Sequence, residues 1–455
     1  MKNGKRSSFS GKLGYVLAAA GASVGLGNIW RFPYLAAKYG GGIFLIIYIV
    51  LALTFGYTMI VAETAIGRMT RKSPVGAFKS FGKKKWLSFG GWINAVIPVL
   101  IVPYYSVIGG WVIKYLVEYF RGNAKLLAED GYFTDFISNG VSTELCFVAF
   151  CAFTLIIIFA GVQNGIERVS KIMMPILIVL SVIIAVYSVT RPGALAGVKY
   201  FLVPNVKNFS WMTVVSAMGQ MFYSLSIAMG ILITFGSYMK KDTAIEDSTR
   251  NVEVFDTGIA IMAGLMIIPA VFAFSGGDPD TLQAGPSLMF ITIPKVFQNM
   301  GFGTVIGIVF FLLVLFAAVT SSIALTESAV STFEDELGWG RKKATVLVGV
   351  IMLVLGSLSS LGYGPLAGIK IIGMQFLDLF DFLTNSVKMP IAALLTSLLV
   401  SRVVGIDKIE EEIIHGESAF RRKKVFVVMI KYLCPVFAII ILLSSVANAL
   451  GWIKM

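Results

Sequence analysis

Hydrophobic residues in this chain form long continuous stretches separated by short polar connections. A helix of about 20 mainly apolar residues crosses the hydrocarbon core of a bilayer. Eleven stretches have roughly that length or more, so the pattern predicts an all-α integral membrane protein with eleven transmembrane helices. In chain order, segments 1 to 11 cover residues 12–37, 42–67, 89–120, 144–160, 169–190, 212–238, 252–275, 302–333, 344–361, 369–400 and 425–452.

The composition supports the same class. Of the 455 residues, 57% are hydrophobic and 14% are charged, whereas a soluble domain averages about 45–50% and about 25%. A soluble chain with so little charge could not cover its own surface, so the lipid bilayer is expected to be its main solvent. We therefore expect a single helical bundle over residues 1–455 rather than several soluble domains.

The basic residues behind the net charge of +13 cluster in the connections between segments. By the positive-inside rule, such connections face the cytoplasm. Eleven crossings then place the N-terminus inside the cell and the C-terminus outside, in a plasma or bacterial inner membrane. No nucleic-acid partner is expected, because no soluble domain is predicted to present a basic surface. The clusters are Lys2, Lys5, Arg6 and Lys12; Arg68, Arg71, Lys72, Lys79 and Lys83 to Lys85; Arg341 to Lys343; and Arg421 to Lys424.

The residues that carry most catalytic chemistry are scarce. Cys146, Cys151 and Cys434 lie in apolar stretches without metal-binding spacing, and the single histidine, His415, lies in a charged connection. No pairing of a nucleophile with a base is visible. The sequence therefore predicts neither an enzyme nor a histidine-based metal site.

Two segments contain residues that disfavour a helix near their middle. Segment 1 carries the stretch Gly21–Asn28 and segment 6 carries Gly219–Gly230. Unpaired backbone is tolerated in a membrane only where it faces protein or a cavity, although small residues also serve close helix packing. Two interruptions five segments apart indicate inverted repeats, residues 12–190 and 212–400, with residues 425–452 outside them. In such repeats, broken helices bind ions and anionic groups.

Several separate stretches, in this order, resemble the neurotransmitter:sodium symporter family. They are Gly21–Tyr34 (GASVGLGNIWRFPY), Gly40–Gly42, Glu63, Gly219–Ser226 (GQMFYSLS), Ala284–Pro294 (AGPSLMFITIP) and Thr320–Ser322. The resemblance extends from about Arg6 into segment 11. It implies a bacterial type of sodium-coupled amino-acid symporter, which takes up its substrate by alternating access to a site between the two broken helices.

The resemblance also implies two sodium ions and an amino-acid pocket. The first ion site (Na1) would use Ser23, Asn28, Ser224, Asp256 and the substrate carboxylate. The second (Na2) would use carbonyls of Gly21, Val24 and Ala317 with the hydroxyls of Thr320 and Ser321, although such hydroxyls can instead bond to their own helix. The substrate pocket would comprise Ser23, Leu26, Gly27, Ile101, Tyr105, Tyr223, Ser224, Ser226, Met229, Ser321 and Leu325. Met229 stands where leucine-preferring relatives have Phe, and methionine repacks readily, so the resemblance favours a hydrophobic or aromatic substrate. Each apolar or aromatic member of the pocket, taken alone, is more often a packing residue.

Asp256 stands where the family commonly has Asn. It could be a solvated charge at the end of segment 7, but an ionisable residue inside a crossing is by default functional. The carboxylate would then supply the charge that chloride supplies elsewhere in the family, in a region formed by Tyr48, Gln220, Ser224 and Asp256. Transport is therefore expected to be independent of chloride.

The resemblance further implies two gates. Arg31 and Asp381 would form an outer ion pair above Tyr105 and Tyr223. Arg6 and Asp335, with Phe9 and Tyr238, would close the inner side. Glu63 is expected to accept freed amides of segment 6, and Lys388 to extend toward the membrane surface or to pair with Asp381.

Two other functions remain open from the sequence. A proton-coupled carrier of the same fold would carry a lysine at the second cation site, where Thr320 and Ser321 stand here. A sensor that binds the substrate without transporting it has no distinguishing residue. The amino acid carried and the oligomeric state are not indicated by the sequence.

Overall fold

A computed structural model describes residues 6–276, 285–449 and 452. Lys2 and Lys5 of the first basic cluster and Ala284 of the stretch Ala284–Pro294 lie outside these residues. Within them the chain is helical. In this described part of the chain, nine helices are long and apolar enough to cross a membrane: Gly42–Thr70, Lys85–Phe120, Gly140–Phe159, Val162–Val189, Ile245–Ser275, Gly303–Leu337, Arg341–Leu361, Phe376–Val404 and Lys423–Asn448.

Both interrupted segments are broken helices. Segment 1 consists of Lys12–Ser23 and Gly27–Lys38, which meet at 52° and together make a tenth crossing. Segment 6 consists of Trp211–Ser224 and Ile231–Tyr238. Its halves have 14 and 8 residues and are separated by residues 225–230. By length and composition alone the described residues support up to ten crossings, and the eleventh crossing stays a prediction.

Segments 5, 7 and 10 begin furthest from the residues that the hydrophobic pattern predicts. Segments 5 and 7 start earlier, at Val162 and Ile245, because polar first turns extend their helices beyond the apolar stretch. In segment 7, Glu246 and Asp247 occupy the first turn, where negative charge is favoured by the helix dipole. Segment 10 starts later, at Phe376, since the glycine-containing residues 362–375 form turns.

Short helices lie on the connections, at Pro74–Lys79, Tyr132–Ser138, Ala194–Leu202, Leu288–Gln298 and Ile406–Ile414. The connections that carry the basic clusters lie together at one end of the bundle, which we call the basic face. Ion pairs join them there, among them Arg68–Glu412 and Lys79–Glu336, each at 2.6 Å.

The broken segments lie at the centre of the bundle, and the outer helices face lipid. The first half of segment 1 is buried on all sides from Gly14 to Ser23. In segment 3, 78% of the most apolar window is buried, against 33% in segments 5 and 11. Hydrophobic side chains on the outer helices are exposed accordingly, as expected where lipid is the solvent.

Candidate functional site

The interruption in segment 1 begins where the helix ends at Ser23. Val24 is extended, at φ −77° and ψ 96°. The freed amides bond to side chains: Gly25 N–H donates to Asn28 Oδ1 at 3.1 Å, and Leu26 N–H donates to the Tyr105 hydroxyl at 3.3 Å. The backbone can leave helical geometry here because side chains accept the hydrogen bonds of the freed amides.

The interruption in segment 6 covers residues 225–230. Ser226 and Ala228 have φ of 51° and 58°, a left-handed conformation that costs an L-residue energy unless its surroundings enforce it. Ala228 N–H donates to Glu63 Oε1 at 2.7 Å, and Glu63 is fully buried. Glu63 thus accepts a freed amide of segment 6, as expected.

The two interruptions meet. The Ser226 hydroxyl donates to the Ala22 carbonyl at 2.9 Å, and the Ser23 hydroxyl donates to the Leu225 carbonyl at 3.4 Å. Between them lies a cavity of about 30 Å³, close to the space of a water molecule, so its walls must separate to admit a larger ligand. Its lining is Ala22, Ser23, Gly25, Leu26, Gly27, Asn28, Ile101, Tyr105, Tyr223, Ser226, Met229, Ser321 and Leu325.

Ten of the eleven predicted substrate residues line this cavity, and Ser224 does not. Ser224 belongs to a buried polar cluster beside it, where Asp256 Oδ1 accepts from Asn28 Nδ2 and from the Ser224 hydroxyl, each at 2.8 Å. The Tyr48 hydroxyl donates to Asp256 Oδ2 at 2.7 Å. Asp256 is fully buried, which excludes a solvated charge at a helix end.

Gln220 lies differently from the other residues predicted for the chloride-equivalent region. Its Nε2 donates to the Gly27 carbonyl at 3.0 Å, and its Oε1 has no partner among the residues that the structure describes. The structure therefore joins Tyr48, Ser224 and Asp256 directly, whereas Gln220 contacts the interrupted backbone of segment 1.

The residues predicted for the second ion site also lie together. The Ser321 hydroxyl donates to the Gly21 carbonyl at 3.2 Å and to the Val24 carbonyl at 3.4 Å. The Thr320 hydroxyl bonds back to its own helix, at 3.2 Å from the Ala317 carbonyl. Within the described ranges, no group of three or more His, Cys, Asp or Glu residues could hold a metal ion. Carbonyl and hydroxyl oxygens of this kind instead suit an alkali cation.

Arg6 closes the bundle at the basic face. Its guanidinium pairs with Asp335 at 2.5 Å, donates to the Ser331 hydroxyl at 2.8 Å and lies over the Tyr238 ring, with Cζ 5.1 Å from the centroid. Burial lowers the pKa of Arg6, but its electrostatic interactions with Tyr238 and with the Asp335 carboxylate outweigh burial, so the pKa is raised overall. Phe9 is buried and packs edge-on against Tyr238 at 6.1 Å between ring centroids.

The opposite face is open. A vestibule of about 420 Å³ lies there, and Tyr223 separates it from the small cavity, because Tyr223 lines both. Arg31 lies over the Tyr223 ring, with Cζ 5.3 Å from the centroid. Asp381 accepts from the Tyr104 hydroxyl at 3.1 Å and from Asn385 Nδ2 at 2.5 Å.

The predicted outer ion pair is not formed in this structure. Arg31 and Asp381 are absent from the ion pairs of the described residues, as is Lys388. With the vestibule open, Arg31 contacts the Tyr223 ring, and Asp381 accepts hydrogen bonds from Tyr104 and Asn385. Tyr105 lines the cavity below rather than the vestibule.

Sequence reasoning missed the residues that hold the gate residues in place. Tyr104 and Asn385 hold Asp381, and Ser237 and Ser331 hold Arg6. Tyr104 directly precedes Tyr105 in the sequence, and this pair of adjacent tyrosines inside a crossing was the available signal. The serines have no such signal, because hydroxyls are common in transmembrane helices.

Comparison with known proteins agrees with this architecture. The sequence profile of the sodium:neurotransmitter symporter family matches residues 6–126 and 134–452. The chain is 34% identical over 450 residues to the sodium-dependent transporter YhdH of Bacillus subtilis, covering 98% of this chain and 99% of that protein. Human sodium- and chloride-dependent GABA transporter 2 is 26% identical over 474 residues, covering 90% of this chain and 75% of that protein.

A solved structure is similar over the whole bundle. The crystal structure of MhsT in complex with L-phenylalanine superposes with a TM-score of 0.87 at 34% identity, covering 97% of this chain and 100% of MhsT. The fold and the site thus define a multi-pass membrane transporter, not an enzyme. The chain belongs to the sodium:neurotransmitter symporter family, and it uses sodium to move a small-molecule substrate across a lipid bilayer.

Proposed function

We propose that this protein takes up hydrophobic or aromatic L-amino acids with two sodium ions, without chloride, by alternating access. The observation that supports this most directly is the cavity between the two interruptions, which is lined by ten of the eleven residues predicted for the substrate. Backbone amides, a tyrosine hydroxyl and an apolar wall meet there, and together they suit a zwitterion with an apolar side chain.

The substrate would be held at both ends. Leu26 and Gly27 amides and the Tyr105 hydroxyl would bind its carboxylate, and freed carbonyls of segments 1 and 6 would bind its ammonium. Ile101, Met229 and Leu325 supply an apolar wall, and methionine repacks readily around ligands of different shape. MhsT, whose structure contains L-phenylalanine, is a relative at 34% identity and supports the same substrate class.

Two sodium ions would supply the driving force. One would bind beside Ser23, Asn28, Ser224 and Asp256. The other would bind beside the hydroxyls of Thr320 and Ser321 and the carbonyls of Gly21, Val24 and Ala317. Each charge that crosses about 100 mV releases about 2.3 kcal/mol. Each tenfold concentration gradient adds about 1.4 kcal/mol. Two ions can therefore concentrate a substrate by several orders of magnitude.

Asp256 is the reason to propose independence from chloride. GABA transporter 2, described as sodium- and chloride-dependent, is a more distant relative at 26% identity. In this chain, a carboxylate lies among Tyr48, Ser224 and Asn28. A fixed negative charge there balances the sodium charge without a bound anion.

The basic face is proposed to be cytoplasmic, which places the vestibule outside and the closed Arg6 region inside. On this proposal the two halves of segment 6 together make the eleventh crossing, and residues 12–190 and 212–400 are inverted repeats. Access would alternate as segments 1, 2, 6 and 7 move against segments 3, 4, 8 and 9. Arg31 and Asp381 would approach one another when the outer side closes.

Uptake into proteoliposomes tests the proposal. We expect accumulation of an apolar amino-acid tracer with an inward sodium gradient, unchanged when gluconate replaces chloride, and competed best by hydrophobic or aromatic amino acids. Asn28→Ala should weaken the dependence on sodium. Accumulation driven by a proton gradient alone would favour the proton-coupled carrier. Sodium-dependent binding without accumulation would favour the sensor, and a charged amino acid as best competitor would refute the substrate class.

A further inference from the structure

A groove between segments 4 and 9 lies on the lipid-facing surface, apart from the transport site. Its volume is about 540 Å³, within the roughly 300–1,000 Å³ of ligand pockets. Gly140 allows the segments to meet at one end, because a Cβ there would lie 3.0 Å from Pro365 Cγ. The groove is lined by Asn139, Gly140, Val141, Glu144, Leu145, Val148, Leu361 and Pro365.

The floor of this groove is an apolar strip. Val141, Leu145 and Val148 are 74%, 68% and 41% exposed, and their spacing of four and three residues places them on one face of segment 4. Leu361 of segment 9 forms the facing wall. Such a strip beside a helix end suits an acyl chain whose headgroup lies near the membrane surface.

Glu144 gives this groove a negative charge that the chain itself does not neutralise. Its Oε1 accepts a hydrogen bond from the Ser357 hydroxyl of segment 9, and its Oε2 is buried without a partner among the residues described. It takes part in none of the ion pairs of those residues. The terminal torsion of a glutamate is broad, so a partial rotation about it can turn Oε2 from its buried position toward the groove.

We propose that this groove binds phosphatidylethanolamine, with the primary ammonium donating to Glu144 and an acyl chain along Val141, Leu145 and Val148. Charge selects this occupant, because an anionic headgroup would be repelled by Glu144. A choline headgroup has no N–H to donate to the carboxylate. Asn139 lies at the same end of the groove; its Oδ1 accepts from Ser142 N–H at 3.1 Å, and its amide N–H groups can bind a phosphate oxygen.

Native mass spectrometry of the full-length protein in detergent tests this with added lipids. Phosphatidylethanolamine should occupy one site on the wild-type protein at roughly a tenfold lower concentration than phosphatidylcholine, since a charge-assisted hydrogen bond contributes about that factor. Glu144→Gln should remove the preference. Glu129→Gln, which changes an exposed carboxylate in the connection between segments 3 and 4, should keep it.

The wild-type comparison of the two lipids needs no variant, so it decides the matter even if Glu144→Gln fails to fold. Val148→Trp is a second test variant, and it lies on the lipid-facing surface. The larger side chain should fill the groove and lower the occupancy of both lipids. Equal binding of the two lipids, tighter binding of phosphatidylglycerol, or an unchanged preference in Glu144→Gln would each overturn the proposal.

Discussion

Segments 1 and 6 differ from segments 3 and 8, although all four surround the same cavity. Segments 1 and 6 are interrupted and present backbone amides and carbonyls. Segments 3 and 8 are continuous helices of 36 and 35 residues, and their residues at the cavity include Tyr105 and Ser321. Segment 3 nevertheless contains Pro98 and Pro103, whereas the interruption of segment 6 contains no proline.

The difference shows that helix-breaking residues alone do not decide where a membrane helix breaks. A proline removes one backbone donor, and its neighbours can continue the helix. An interruption of several residues survives in a membrane only if other groups bind the freed backbone. Glu63, Asn28 and Tyr105 do so at the two interruptions.

The largest expected effect follows from adding a side chain inside the segment 1 interruption. In Gly25→Val, the new Cβ would lie 2.6 Å from Ser321 Oγ and 3.1 Å from the Tyr105 hydroxyl. Overpacking costs about 1–3 kcal/mol, so we expect substrate affinity to fall by roughly 10- to 100-fold in an equilibrium binding assay. Gly258→Val is the matched control, because a Cβ at Gly258 meets nothing within 4 Å. Normal binding by Gly25→Val would show that the close approach does not matter.

The next effect concerns the partner of the segment 6 interruption. Glu63→Ala leaves the buried Ala228 N–H without an acceptor, which costs about 1–3 kcal/mol, so a lower thermal midpoint in detergent and roughly tenfold slower uptake are expected. Glu63→Gln keeps a carbonyl acceptor, so this variant should retain most of the thermal stability and most of the uptake rate. Equal losses in the two variants would mean that the carboxylate charge, rather than the hydrogen bond, supports the interruption.

A smaller effect is expected from single hydroxyls on the continuous segment 8. Thr320→Ala and Ser321→Ala should each lower sodium affinity about three- to tenfold, measured by the sodium dependence of substrate binding, because each removes one coordinating oxygen, a loss comparable to that of one hydrogen bond. Ser322→Ala should leave it unchanged, since the Ser322 hydroxyl bonds to Thr154 at 3.1 Å, away from the cavity. Wild-type sodium affinity in Thr320→Ala and Ser321→Ala would remove the second ion site.

The smallest effect is expected in the vestibule wall of segment 3. Tyr104→Phe removes one hydrogen bond to Asp381, which keeps its bond to Asn385. We expect uptake to fall about two- to threefold, corresponding to about 0.5 kcal/mol. Tyr187→Phe removes a hydroxyl that donates to the Gly301 carbonyl far from the vestibule, and should have no effect. A loss of tenfold or more in Tyr104→Phe would make this tyrosine part of the gate itself.

Most of the fold was predictable from local pattern. Hydropathy placed every long crossing helix, because apolar side chains in lipid must form stretches of a minimum length. It misplaced the starts of segments 5 and 7, since a helix can continue through polar residues such as Glu246 once its backbone bonds are formed. The two interruptions were also predictable, from glycines and small polar residues at matching places in segments 1 and 6.

The sequence by itself therefore determined the membrane class, the crossing segments and the two interruptions, because these depend on the solvent and on neighbouring residues. Only the tertiary structure decided which distant groups meet. Asp256 bonds to Tyr48, 208 positions away, Tyr104 holds Asp381, and Arg31 stacks on Tyr223 instead of pairing with Asp381. Hydrogen bonds are short and directional, so a partner is chosen by how the helices pack and by whether the vestibule is open.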